Sequence, residues 1–248
     1  MRKSTILLLG AALLYTQPAA AGDRKGAPPA AQVEGQVAHP APSGGYPYLL
    51  HIPQGYNDDP EARWPVIVFL HGSGERGTDI EKVKVHGPPK IVGADPAFPF
   101  IVVSPQAPES EPEWVPAELD KTLATALAPL RADLSRIYLT GLSMGGIGTW
   151  NWAIARPDTF AAIAPVAASG DPQAACSTAM TPTWAFHGDN DPIVPTQDGI
   201  AMVAAQRSCG GHPRLTLYPE TGHASWDAAY GDPQLYLWFL HHRRATAK

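Results

Sequence analysis

Charge is scarce in this chain. Of its 248 residues only 17% are charged, and Lys and Arg number 18 against 23 Asp and Glu, a formal net of −5. Nucleic-acid binding through counterion release needs clustered basic side chains, so this balance excludes a nucleic-acid partner. Long apolar runs are missing beyond the first one, Ile6 to Leu14, which is itself too short to span a bilayer. No stable membrane insertion is therefore expected. Cysteine is nearly absent, with Cys176 and Cys209 as the only two. The glycine-rich stretch His71-Gly72-Ser73-Gly74-Glu75-Arg76-Gly77 lacks the Gly-Lys-Ser/Thr that would close a phosphate-binding loop. No repeat is present, and neither a metal nor a cofactor is expected.

What is present begins with an address. Arg2 and Lys3 precede the apolar run, and Ala19-Ala20-Ala21 supplies small residues at a cleavage point. Residues 1–21 thus read as a secretory signal peptide, which predicts export to the periplasm or the outside of the cell. In that oxidising setting Cys176 and Cys209 are expected to pair, two independent buried thiols being the alternative. Residues 22–44 are rich in Ala, Pro and Gly without periodicity and read as a flexible lead-in. Residues 45–248 are then one domain.

Within that domain strands and helices alternate. Tyr46, Tyr48 and Leu50 suggest an early edge strand. Val66 to Leu70 is a continuous apolar run of the kind buried on both faces. Phe100 to Ser104, Ile137 to Leu139, Phe160 to Val166, Thr183 to Phe186 and Leu215 to Tyr218 complete the strands. Helical spacing marks Glu118 to Leu127, Thr196 to Arg207 and Asp232 to His242. The alternation predicts an α/β fold, a mainly parallel twisted sheet with helices on both faces.

The chemistry centres on Gly141-Leu142-Ser143-Met144-Gly145. An apolar strand precedes it and a helix-like segment follows, which is the context of a nucleophile elbow. A Cβ at Gly141 or Gly145 would collide with neighbouring backbone in so sharp a turn. A serine hydroxyl needs a base, and that base needs a carboxylate to set its tautomer. Ser143, Asp191 and His223 supply these groups in that order, 48 and then 32 residues apart, each just beyond a strand. Asp189 is the chief rival acid and Asp227 a weaker one. His187 is expected to shape the loop before Asp191, and His241 and His242 to be solvated. The oxyanion donors are expected from the backbone N–H of Met144 and of Ser73, with Gly74 as the alternative to Ser73. His71, Trp114 and Trp226 are candidate substrate-binding residues, and His86 a candidate for the lining.

These residues carry a resemblance. Leu70 to Gly77, His86-Gly87-Pro88-Pro89-Lys90, Thr140 to Gly146, His187 to Pro192 and Gly222 to Trp226 occur in an order similar to that of the α/β-hydrolase superfamily, phospholipase/carboxylesterase branch. The likeness is greatest to exported esterases labelled predicted peptidases or feruloyl-esterase-like. It implies the α/β-hydrolase fold, Ser143, Asp191 and His223 as a triad, and Ser73 with Met144 as oxyanion donors. It also settles the choice of Asp191 over Asp189. A serine nucleophile departs from the cysteine of dienelactone hydrolases that share the fold. The stretch between Val166 and Thr183 is too short for a lid with its own core, so no large cap domain is expected. An open site suits a small-molecule or polymer-borne ester, with short acyl, acetyl or feruloyl groups. A serine peptidase of the same fold and a non-catalytic binding module are the competing readings.

Overall fold

Val66 to Leu70 are apolar at every position, and the fold covers them on both sides. The computed structural model describes residues 36–244. The expected signal peptide and residues 22–35 of the lead-in lie outside the described residues. Strands β1 Gln36–His39, β2 Tyr48–His51, β3 Trp64–Leu70, β4 Ile101–Pro105, β5 Ala132–Leu142, β6 Ala162–Val166, β7 Trp184–Gly188 and β8 Arg214–Tyr218 form one sheet. Its order is β1-β2-β4-β3-β5-β6-β7-β8, antiparallel from β1 to β4 and parallel from β4 to β8.

Helices α1 Gly87–Ala94, α2 Pro116–Leu127, α3 Met144–Ala155, α4 Thr196–Ser208, α5 Trp226–Gly231 and α6 Pro233–Leu240 cover the faces. Alternation along β3 divides the core. Val66, Val68 and Leu70 pack with Leu119, Leu123, Trp150 and Met202 of α2, α3 and α4. Ile67 and Phe69 pack with Val92, Tyr230, Leu235 and Phe239 of α1, α5 and α6. Proline stands in the first turn of α1, α2 and α6, where the missing N–H costs nothing because that donor has no intrahelical acceptor.

The structure departs from the sequence reading at the first strands. Order reaches back to Gln36, so residues 36–39 of the expected lead-in are strand. β1 pairs outside β2, with Val37 opposite Leu50, and β2 is therefore interior and buried at every position rather than an edge. The helices α1 and α5 were not anticipated, and β5 begins at Ala132 rather than Ile137.

This connectivity fixes where a ligand can sit. From β3 the chain passes through α1 to β4 on one side, then crosses to β5 on the other. Successive loops therefore leave the carboxyl ends of β3 and β5 toward opposite faces and open a crevice between them, the topological switch point of a parallel sheet. The connection from β6 to β7 holds one short helical turn, Ala175–Thr178, and no inserted domain. Among the described residues no helix is long and apolar enough to cross a membrane.

That short connection is tied down twice. A disulfide joins Cys176 to Cys209 at the end of α4, with Cα atoms 5.3 Å apart. Gln206 is wholly buried and donates from Nε2 to the Thr178 carbonyl at 2.6 Å and to Thr183 Oγ1 at 3.0 Å. The cross-link spans a sequence separation of 33, which in the chain-entropy account corresponds to about 3–4 kcal/mol. Replacing both cysteines by serine is expected to lower the unfolding free energy by about that amount, measured by urea denaturation of the oxidised proteins.

Candidate active site

At the carboxyl end of β5 the backbone of Ser143 takes φ 53° and ψ −120°. A residue with a Cβ adopts this region at a cost of about 1–3 kcal/mol, so something must hold it. Ser143 N–H donates to the Val166 carbonyl at 2.9 Å, and the Ser143 carbonyl accepts from Ile147 N–H at 2.9 Å. A Cβ on Gly145 would run into the Leu70 carbonyl oxygen, so the start of α3 lies directly against the end of β3. Ser143 occupies the N-cap of α3, yet its hydroxyl makes no capping bond. It lies 2.8 Å from His223 Nε2 instead.

His223 follows β8 in a loop that meets the loop after β7. Asn190 N–H donates to the Thr221 carbonyl at 3.0 Å, and Thr221 N–H to Asp189 Oδ1 at 3.3 Å. Asp189, the rival acid, thus staples the two loops together. Asp227 lies in the first turn of α5. Asp191 is the carboxylate that faces the histidine, with Oδ2 2.7 Å from His223 Nδ1. Its Oδ1 accepts from Ile193 N–H at 2.9 Å and Val194 N–H at 3.0 Å. Burial of this carboxyl alone would raise its pKa. The bond from His223, those from Ile193 and Val194, and the charge of the imidazole outweigh burial and hold it below the usual carboxylate value. An ionised Asp191 accepts from Nδ1–H, which leaves Nε2 of His223 bare to accept the Ser143 proton.

The loop after β3 completes the cleft. Ser73 opens the short helical turn Ser73–Glu75, which also holds Gly74, and Met144 opens α3. The first N–H groups of such turns have no intrahelical acceptor. Several bonds mount this loop on the segment after β4. Gln106 is 1% exposed, and its Nε2 donates to the carbonyls of Glu75 at 2.8 Å and Asp79 at 2.7 Å. Ala107 N–H donates to His71 Nε2 at 3.1 Å, and Gly77 N–H to the Ala107 carbonyl at 3.0 Å. Glu75 Oε2 accepts from Gly72 N–H at 2.9 Å. Gln106 and Glu75 escaped the sequence reading, although both stand just beyond strand ends, where ligands of such sheets gather.

Two of the expected substrate-binding residues are corrected here. His71 is fully buried and bonded through both ring nitrogens, Nδ1 to the Gly72 carbonyl at 2.6 Å. Trp114 is 2% exposed, packs edge-on against His71 and donates from Nε1 to the His71 carbonyl. They are the underside of the loop after β3, turned inward because the chain must cover the core before it turns. Trp226 stands beside His223, its ring perpendicular to that of His223 at 5.2 Å and against His86 at 5.5 Å. His187 is buried behind Asp191, its Nε2 3.2 Å from Oδ2. His241 and His242 close α6, each Nδ1 bonded to a carbonyl of that helix.

Known proteins share this arrangement of chain. The family model described as Dienelactone hydrolase family matches residues 106–230, a span that includes Ser143, Asp191 and His223 but not the loop after β3. A crystal structure of a thermostable esterase superposes with a TM-score of 0.74 at 30% identity, covering 84% of this chain and 63% of the other. A Nocardia uniformis subsp. tsuyamanensis protein named as an esterase, NocK, is 28% identical over 68% of this chain and 52% of its own length. An Aspergillus terreus protein named as a feruloyl esterase is 28% identical over 64% of this chain and 60% of its own. The chain thus spans between half and three-fifths of the length of these curated relatives.

The buried imidazole of His71 gives the loop after β3 a pH dependence. Burial, reinforced by nearby Arg76 and opposed only in part by the bond to Gly72, pushes its pKa from 6.5 down to about 4. Between those values the unfolded chain holds a proton that the folded chain does not. The contribution to stability is therefore complete above the unfolded value and is lost as pH falls toward 4, about 3 kcal/mol in all. His71→Asn is expected to flatten the pH dependence of the unfolding free energy between pH 7 and 4 by that amount, read from urea denaturation across the range.

Proposed function

We propose that this chain, which belongs to the dienelactone hydrolase family, is a serine hydrolase that cleaves carboxylic esters through an acyl-enzyme. The observation that carries the reading is the bonded chain Ser143 Oγ, His223 Nε2 and Nδ1, Asp191 Oδ2, with separations of 2.8 and 2.7 Å. In this mechanism the Ser143 proton passes to His223 Nε2 as Oγ attacks the ester carbonyl. Asp191 stabilises the imidazolium that forms. The carbonyl oxygen, now anionic, receives the N–H groups of Met144 and Ser73, which are fixed before the reaction begins and need no reorganisation. The alcohol leaves with the proton of His223. Water then repeats the sequence on the acyl-enzyme, losing its proton to His223 and regenerating Ser143.

The substrate reading is short-acyl or polymer-borne esters, with acetyl and feruloyl groups foremost. It is supported by the short β6–β7 connection, by the aromatic Trp226 beside His223, and by the feruloyl esterase name of the Aspergillus relative. The same proposal places the protein outside the cytosol. In support stand the signal-peptide pattern of residues 1–21 and a disulfide suited to an oxidising compartment.

A fluorophosphonate probe is expected to label Ser143, with the adduct mapped by mass spectrometry. Ser143→Ala should lower turnover of simple aryl esters by at least about 10³-fold, and matched amides should turn over far more slowly than esters. Retained esterase activity in Ser143→Ala would sink the mechanism. A panel of feruloyl, acetyl-sugar and long-chain esters tests the substrate reading, and preference for long chains would overturn it.

A further inference from the structure

Asp191 touches a second histidine that the mechanism above leaves idle. His187 ends β7 with its side chain 2% exposed. Its Nε2 lies 2.9 Å from the Val194 carbonyl oxygen and 3.2 Å from Asp191 Oδ2. A carbonyl and a carboxylate can only accept, so Nε2 must carry the ring proton. We propose that His187 is a positioning residue: its Nε2–H, bonded to the Val194 carbonyl, fixes the turn whose Ile193 and Val194 N–H groups hold the Asp191 carboxylate in the orientation that His223 requires.

The geometry makes this a closed set of contacts. Val194 serves twice, its N–H donating to Asp191 Oδ1 at 3.0 Å and its carbonyl facing His187. Asp191 Oδ2 lies between two imidazoles, and Oδ1 takes the N–H groups of Ile193 and Val194. Three of the carboxylate's acceptor directions take hydrogen bonds, from His223 on Oδ2 and from the N–H groups of Ile193 and Val194 on Oδ1, and the His187 ring stands 3.2 Å from Oδ2. Rotation of the carboxylate about its Cβ–Cγ bond would break contacts on both oxygens. The ring that does the holding is itself fixed, because a Cβ on Gly199 of α4 would stand 2.6 Å from His187 Nδ1. A histidine here also has a cost that a leucine would not have, since a buried imidazole must be desolvated. Nε2 of His187 is committed to the Val194 carbonyl, and Nδ1 lies against Gly199 of α4. Its effect reaches Ser143 through Asp191 and His223.

The inference rests on the reading of Ser143, His223 and Asp191 as the reacting groups, and its test keeps the two apart. In ¹⁵N-histidine NMR spectra of the full chain, His187 is expected as the Nε2–H tautomer, and the His223 Nδ1–H bonded to Asp191 as a far-downfield proton resonance. His187→Leu should lower kcat on an aryl ester by about 10- to 100-fold with KM changed less than about two-fold, and should weaken or abolish that resonance. His187→Gln places an amide N–H near the same point and should keep the resonance, with kcat within about three-fold of the unsubstituted protein. The proposal is overturned if His187→Leu keeps both kcat and the resonance, or if His187→Gln falls as far as His187→Leu. Should His187→Leu fail to fold, an Nδ1–H tautomer of His187 in the unsubstituted protein overturns it and an Nε2–H tautomer supports it. Activity remaining in Ser143→Ala would remove the mechanism while leaving the tautomer and the resonance to decide on His187.

Discussion

The backbone at Ser143 is held in a conformation that a residue with a Cβ does not choose, and the surrounding elements can be understood by what they do to keep it there. β6 supplies the Val166 carbonyl that fixes the Ser143 N–H, and β3 supplies the Leu70 carbonyl against which Gly145 must pass. Both strands are buried along almost their whole length, so the anchors belong to the rigid part of the molecule. The strain, about 1–3 kcal/mol, is small against the burial of a sheet with apolar cores on both faces. What it achieves is separation of roles. The Ser143 hydroxyl is released from helix capping, and the Met144 N–H is left without an acceptor in the same turn.

Histidine shows how one residue type takes different roles by which ring nitrogen is satisfied. His71 Nε2 accepts from Ala107 N–H, so its proton sits on Nδ1, and burial keeps the ring neutral. His223 has the same tautomer for another reason, since Asp191 claims Nδ1–H. Its Nε2 faces a hydroxyl rather than an amide, and a hydroxyl can give up its proton. His71 is fully buried while the His223 side chain is 18% exposed. The exposed edge leaves the second ring open to the cleft, and complete enclosure makes the first a structural strut.

The parts of this arrangement that follow a period were legible in the sequence. The apolar runs of β3 and β4 and the spacing of α2 and α4 locate the sheet and its layers, because burial on a strand or helix repeats with the backbone. Ser143 and His223 were legible because each follows the end of a strand in the parallel part of the sheet, whereas Asp189 stands nearer the end of β7 than Asp191 and only the resemblance chose between them. What did not show is the direction of side chains once the chain leaves a strand. His71 and Trp226 each stand beyond a strand end beside a conspicuous motif, yet the first turns under its loop and the second stands at the site. No period governs a loop, and only the contacts of Ala107 with His71 and of His86 with Trp226 separate the two. β1 was missed for a related reason. Its four residues, Gln36-Val37-Ala38-His39, carry one large apolar side chain, and pairing to β2 alone defines them as strand.

The absence of an insertion between β6 and β7 bears on chemistry as well as on access. A lid would exclude water and lower the local dielectric, strengthening every charge interaction at the site. Without one, the hydrogen bond between Asp191 and His223 must be protected from below. The fold does this by burying Asp191 rather than covering Ser143. Its side chain is fully shielded while His223 remains partly open, so the carboxylate sits in a dry environment and the imidazole edge reaches the cleft. Ile193, two residues on, is 68% exposed, so the loop that encloses the carboxylate also presents an apolar side chain to solvent. Burial is thus graded along the bonded chain, deepest at the acid and least at the cleft. That gradient keeps the Asp191–His223 hydrogen bond shielded on the acid's side while the imidazole edge stays open.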